Sequence, residues 1–448
     1  MTIKLNENEL KTLNEINQKL IKLYSDFEKV ESYINDSASP GLEAIELASL
    51  AGGYAGIALA LGVSDDVSSN QSTDEISYEY IKRCIAIIQS NPTYSFSLFS
   101  GLTGILISLK FNSKNGQRYK NIIEQLLQVI THNYKESLSI SQANLINNTV
   151  TTDDFDVILG WSGILRTLLE FDNDLYDTEL NKIIEDISLY LIKLGEFTND
   201  SKPCWFIEYA QLSDIEKETF VGGFYNNGMS HGISGVLASL SILYIKGYRF
   251  NGLESSINNI RTWLLQNILE HRGVEYIPNV TVDNTNTNTN TNTNTNTNTF
   301  NHRDAWCYGT PGVSTALFIS AMTDENLYIK EKSIELFKTF LKRASEEHKL
   351  ISPTICHGFA GILMLCIRLI EYGVSDPEIL EIANNVFQKL MSFYKGNELI
   401  LFPDYEIIEN KRVEIHKIGL LEGVTGIFLI IQSLLHDKNE WDQIFLIS

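Results

Sequence analysis

Basic residues are in short supply: 35 Lys and Arg stand against 56 Asp and Glu, a formal charge of −21. Phosphate backbones are held by clustered cations, so this balance argues against a general nucleic-acid binder. Cysteine is also sparse, five in 448 residues, odd in number and widely separated. No disulfide framework is expected. The opening Met1-Thr2-Ile3-Lys4-Leu5-Asn6-Glu7 is too polar to begin a secretory signal, and with the unpaired cysteines it points to a reducing cytoplasm. A membrane-length apolar run is missing as well. Leu47 to Ser64 carries no charge, but Gly52, Gly53, Gly56 and Gly62 interrupt it, and it reads as a buried helix.

What is present is repetition. The chain, 50.7 kDa with 44% hydrophobic residues, is long enough for two or three domains or one large repetitive domain. The pattern Gly-x-x-Gly followed by an aliphatic run occurs seven times, with first glycines Gly53, Gly101, Gly160, Gly232, Gly309, Gly358 and Gly423. The intervals of 48, 59, 72, 77, 49 and 65 residues leave room for a second helix between motifs. Period 3.6 with polar faces marks such helices over Tyr78–Ile88, Tyr119–Ile130, Glu179–Leu194, Ser255–Leu269, Ile329–Leu341 and Ile379–Tyr394.

The motif helices are apolar almost all round, so they must be enclosed. Amphipathic outer helices around buried inner ones predict an all-α fold over 1–448, an α/α toroid of seven helical hairpins with all seven motif ends at one mouth. An open solenoid is the rival. Paired glycines suit helix starts that approach another backbone closely, and Pro311 stands where a first turn tolerates proline. Two stretches break the pattern. Residues 196–225 read as a small irregular, partly strand-like insertion, and 284–299 are eight Asn-Thr pairs expected to form a disordered loop.

Three clusters share one register against the glycines: Ser230-His231-Gly232, Cys307-Tyr308-Gly309 and Cys356-His357-Gly358. Both cysteines stand two places before the first glycine and both histidines one place before it. A common register in successive repeats means a common point in space, as a metal requires. Cys307, Cys356 and His357 make a three-ligand zinc site with a fourth position open, the catalytic kind, and helix N-termini favour their thiolates. A lone buried cysteine or a capping histidine would be the plainer account of any one of them.

Cys84, Cys204 and Cys366 lack this context, as do His132, His271, His348, His416 and His436, and are read as packing or surface residues. His231 is the leading acid/base candidate. Asp156, four residues before Gly160, either orients that histidine or simply caps the helix. Arg303 and Asp304 either steady an anionic intermediate and a ligand, respectively, or form a salt-bridge structure. His302 is a weaker acid/base candidate.

The strings SHGISGVL, RDAWCYGTPG, ICHGFAGIL and GLLEGVTG, with the seven glycine repeats, resemble the lanthionine synthetase C-like proteins, in particular the free-standing cyclases of class I lanthipeptide pathways. The resemblance implies an α/α toroid holding one zinc at Cys307, Cys356 and His357, with His231 and Asp156 as proton-transfer partners and Arg303 near them. The implied reaction is intramolecular Michael addition of a precursor-peptide cysteine thiol to dehydroalanine or dehydrobutyrine, giving a lanthionine or methyllanthionine ring. The implied partners are the dehydrated precursor, leader plus core, and a dehydratase and ABC transporter complex that would bring a cytoplasmic protein to the inner face of the membrane. Two alternatives remain: a glutathione-binding or glutathione-adding member of the family, and a non-catalytic peptide-binding scaffold.

Overall fold

A computed structural model describes residues 3–38, 41–68, 71–91, 95–171, 177–220, 222–282 and 302–448. The Asn-Thr stretch 284–299 lies outside the described residues. The chain divides into two compact units, one of Met1–His132 with Leu350–Leu446 and one of Asn133–Lys349. It passes from the first to the second within the helix Lys120–Asn147.

Every motif opens a helix: Tyr54–Ser68, Leu102–Phe111, Trp161–Leu168, Ile233–Ile245, Thr310–Ala321, Phe359–Glu371 and Val424–His436. These are enclosed as their composition requires; all twelve residues of Thr310–Ala321 are buried. Buried hydroxyls in them bond to backbone carbonyls of their own helix, as where Thr315 Oγ1 donates to the Pro311 carbonyl at 2.9 Å. In the first unit the motif helices pack in the order Phe359–Glu371, Val424–His436, Tyr54–Ser68, Leu102–Phe111. In the second the order is Trp161–Leu168, Ile233–Ile245, Thr310–Ala321.

The six one-sided helices expected between motifs are present as Gln71–Ser90, Lys120–Asn147, Asp177–Leu194, Leu253–Gln266, Leu327–Lys338 and Pro377–Met391. The last buries Ile379, Ile382, Ala383, Val386, Phe387 and Leu390, one stripe of a 3.6-residue period. Among the described residues no such helix follows Val424–His436. Its cover comes from the opposite end of the chain, where Glu7–Tyr24 packs on Val424–His436 and buries Leu13, Ile16, Leu20, Leu23 and Tyr24. Tyr24 Oη meets Thr425 Oγ1 at 3.1 Å, and Gln432 Nε2 donates to Asn17 Oδ1 at 2.7 Å. Asn6 and Glu9 start this helix by capping each other's backbone N–H.

The glycines are needed because the loop before each helix folds back over the helix start. A Cβ on Gly312 would lie 2.0 Å from the Trp306 carbonyl oxygen. Gly309 has φ +89°, and a Cβ there would lie 1.5 Å from the Arg303 carbonyl oxygen. In four motifs the residue before the second glycine is Ser or Thr, and its hydroxyl closes the loop. Thr103, Ser162, Ser234 and Thr425 donate to the carbonyls of Phe96, Phe155, Asn227 and Ile418, seven residues earlier in each case.

Neighbouring loops are joined by backbone bonds at the position two before the first glycine. In the first unit Cys356 N–H donates to Leu421 O (3.0 Å), Leu421 N–H to Ala51 O (3.0 Å) and Ala51 N–H to Phe99 O (2.9 Å). In the second, Ser230 N–H donates to Cys307 O (3.1 Å), and Val157, three places before Gly160, donates to Ser230 O (2.9 Å).

A purely helical expectation needs correction, since three two-stranded antiparallel sheets are present. Phe224–Asn226 pairs with Val280–Val282, Leu269–His271 with Val274–Tyr276, and Asp404–Ile408 with Lys411–Ile415. The last two are hairpins whose turns, Arg272-Gly273 and Glu409-Asn410, take positive φ at both residues, the two-residue geometry that matches strand twist. Segment 196–225 contains a short helix, Asp214–Thr219, and ends within the strand Phe224–Asn226. Its Trp205 is fully buried and meets Trp263 edge-on at 5.8 Å. Among the described residues no helix is long and apolar enough to cross a membrane.

Replacing the fully buried Ile16 with alanine is expected to destabilise the first unit by about 2–5 kcal/mol, read as a fall in the denaturant midpoint. An unchanged midpoint would show that the N-terminal helix is a dispensable tail.

Candidate active site and its family

In the second unit the loop before Trp161–Leu168 presents Asp156, which is fully buried. Its two oxygens do separate jobs. Oδ1 accepts from Leu159 N–H and Gly160 N–H, each at 2.7 Å, closing the loop. Oδ2 lies 2.5 Å from His231 Nδ1. A carboxylate can only accept here, so the imidazole carries its proton on Nδ1. The capping and orienting accounts of Asp156 thus describe two oxygens of one side chain. Burial works against a charged His231, but the Asp156 hydrogen bond and charge, with smaller contributions from Cys307 and Asp153, lift its pKa above the ordinary value.

Cys307, 5% exposed, sits beside this pair: its carbonyl accepts from Met229 and Ser230, the residues just before His231. The Tyr308 ring stands 6.2 Å from the His231 ring and its hydroxyl accepts from Asn226 at 3.0 Å. Burial pushes the Tyr308 hydroxyl up to about 12, so at neutral pH it stays protonated.

Asp304 is the hub of a closed cluster. It accepts from His302 Nε2 (2.5 Å), His348 Nδ1 (2.6 Å), Arg343 Nε (2.8 Å) and Arg343 Nη2 (2.9 Å). Burial alone would raise its pKa, but His302, His348 and Arg343 together hold it far below the usual carboxylate range. Of the two expectations for Asp304 the salt-bridge structure holds. His302, fully buried with Nδ1 3.3 Å from the Ile277 carbonyl, belongs to the same cluster and not to an open acid/base site. Arg303, between them, is exposed and has no hydrogen bond or ion pair among the described residues.

In the first unit Cys356 and His357 precede Phe359–Glu371. Their ligand atoms and a carboxylate oxygen of Glu422 lie within 4.8 Å of one another. His357 Nε2 is 3.5 Å from Asp404 Oδ1, and Nδ1 is 3.7 Å from Glu422 Oε1. Asp404 is fixed by Ser352 Oγ (2.6 Å) and the Tyr405 N–H (2.7 Å). Burial works to raise its pKa, yet His357, Ser352 and Lys417 keep it low. Lys417 Nζ reaches Glu406 (2.6 Å), Glu422 (2.8 Å) and Asp404 (3.4 Å).

Asp404, Lys417 and Glu422 were not among the residues picked from the sequence. Glu422 had a signal, standing one place before Gly423 as His231 and His357 stand before their glycines. Asp404 and Lys417 arrive on and just beyond the hairpin Asp404–Ile415. Cys84 and Cys366 are buried, which pushes both thiols well up and suits packing. His348 is likewise internal, stacked on Phe340 at 4.0 Å.

The sequence pattern described as "Lanthionine synthetase C-like protein" matches residues 45–446. The chain belongs to that family. It is 26% identical over 403 residues to "Nisin biosynthesis protein NisC" of Lactococcus lactis subsp. lactis, covering 89% of this chain and 88% of that protein. Among solved structures it superposes on "Nisin cyclase" with a TM-score of 0.75 at 22% identity, covering 96% of this chain and 97% of that one. The mostly helical fold is therefore that of the nisin cyclase structure, and the resemblance read from the motifs is borne out.

Two variants test the local chemistry. In Asp156→Asn the principal causes that raise the His231 pKa are gone and burial prevails, so the imidazole pKa is expected to fall below about 6.5, read by NMR titration; an unaltered value would remove Asp156 as its partner. Asp304→Ala leaves Arg343 and two histidines facing an empty acceptor and is expected to cost about 3–5 kcal/mol, read by thermal or chemical unfolding.

Proposed function

We propose that this chain is a zinc-dependent, free-standing class I lanthipeptide cyclase, its seven hairpins closed into one α/α toroid with the motif loops at a common mouth. The observation that carries the reading is the Cys356–His357 pair in a chain of this family. A thiol and an imidazole lie together with the buried, hydrogen-bonded Asp404 behind the imidazole. Sulfur and nitrogen donors suit zinc, and a carboxylate behind a ligating histidine is the usual means of orienting it. Cys307, at the register of Cys356, is the third ligand of the proposal. Zinc so held supplies a Lewis acid that lowers the pKa of a substrate cysteine thiol.

The substrate is a precursor peptide whose serines and threonines have already been dehydrated. As its thiolate forms the S–Cβ bond to dehydroalanine or dehydrobutyrine, the π-electrons move to an enolate, and the α-carbon then takes a proton. His231 delivers that proton from Nε2, while Asp156 holds the ring by Nδ1 and favours its charged form. The proton lost by the thiol balances the one gained at carbon, and the peptide's mass is unchanged. Arg303, exposed and without an ion-pair partner among the described residues, is placed in the proposal near the enolate oxygen. A dehydratase and an ABC transporter complex at the inner face of the membrane complete the cytoplasmic pathway envisaged here.

The purified protein is expected to hold about one zinc, and Cys356→Ala to lose both the metal and cyclisation. Mass spectrometry of dehydrated precursor treated with a thiol-alkylating probe reads the reaction: ring formation removes alkylatable thiols at constant mass. Full activity in zinc-free protein would overturn the proposal.

A further inference from the structure

We propose that Glu422 is a positioning residue of the same centre, its carboxylate occupying the fourth coordination position until a substrate thiolate displaces it. The inference rests on the zinc reading above and concerns what keeps that centre ordered between turnovers.

Geometry supplies the first reason. Donor atoms on a tetrahedral zinc lie roughly 3.3–3.8 Å apart, given ligand distances of about 2.0–2.3 Å. Glu422 Oε1 already stands 3.7 Å from His357 Nδ1, and Cys356 joins the same group within 4.8 Å. His357 Nε2 faces the buried Asp404, and Glu422 stands on the Nδ1 side of the ring together with Cys356.

The second reason separates the two carboxylates. Asp404 is fully buried and tied to Ser352 and to a backbone N–H, so it is fixed behind the imidazole. Glu422 has its side chain 46% exposed and its other oxygen on Lys417 Nζ at 2.8 Å. It also borders a cavity of about 140 Å³ lined by Tyr33, Glu46, Gly52, Lys417 and Gly419, which gives the carboxylate room to swing aside. Lys417, anchored by Glu406 at 2.6 Å, receives it there.

Displacement balances in charge and atoms. Glu422 leaves as a carboxylate onto Lys417, the substrate S–H bond breaks, its proton passes to water, and the thiolate takes the vacated position. One anion replaces another, so the charge of the centre does not change.

The test uses the full chain loaded with cobalt(II) or zinc. For Glu422→Gln we expect the cobalt visible spectrum to differ from wild type without thiol and to converge with it at saturating 2-mercaptoethanol. Zinc affinity by chelator competition should fall at least about tenfold, and the 2-mercaptoethanol midpoint should drop. Lys417→Met, which removes the receiving cation, should move that midpoint the opposite way, a pattern that general unfolding would not produce. Identical spectra, affinity and midpoints in wild type and Glu422→Gln would overturn the role of Glu422 alone. If wild type takes up no metal, or Cys356→Ala binds it equally well, the zinc reading itself fails.

Discussion

The backbone hydrogen bonds that tie neighbouring motif loops within each unit, most of them at the residue two before the first glycine, are the constraint on which the site depends. They run from Cys356 through Leu421 and Ala51 to Phe99 in one unit, and join Ser230 to Cys307 in the other. Because they are backbone bonds, they set loop height regardless of side chain, and the side chains at that position and the next become free to vary. Cysteines and histidines at equal sequence offsets therefore emerge at equivalent structural positions within each unit. The glycines make this possible by letting the loop lie on the helix start, where a Cβ would collide with a carbonyl oxygen.

The two histidines of this register are supported in contrasting ways. His231 offers Nδ1 to the buried Asp156, whereas His357 turns Nε2 to the buried Asp404 and Nδ1 to Glu422. In each case the buried carboxylate is itself held by backbone N–H groups, Leu159 and Gly160 for Asp156 and Tyr405 for Asp404. A carboxylate with fixed lone pairs selects one tautomer and one ring plane. An imidazole that carries a raised pKa suits proton delivery, and one grouped with a thiol and a carboxylate suits a metal.

Much of this was legible in the sequence because the repeat is written in residue types with physical necessity behind them. Seven glycine pairs and six amphipathic stretches sufficed for the motif helices and their partners, and the Cys/His register singled out the loops that carry chemistry. The N-terminal helix was missed because it precedes the first motif and pairs with the last, a relation that a search for consecutive hairpins does not reach. Apart from the partly strand-like 196–225, where the strand Phe224–Asn226 begins, the strands escaped notice because three to five residues give too short an alternation to detect. Asp304 illustrates another limit: of its partners only His302 is near it in the chain, while Arg343 and His348 stand 39 and 44 residues away. Composition cannot distinguish a ligand-steadying carboxylate from a buried hub.

The pairing of the first helix with the last carries a consequence for how the chain comes off the ribosome. Tyr24 meets Thr425 and Asn17 meets Gln432, contacts 401 and 415 residues apart, whereas the Asn133–Lys349 unit is drawn almost wholly from one continuous stretch. During synthesis the middle of the protein can reach its final packing while the N-terminal helix is still waiting for a partner that has not been made. The unit that holds Cys356 and His357 is thus completed after the other, once Thr425 and Gln432 have been made.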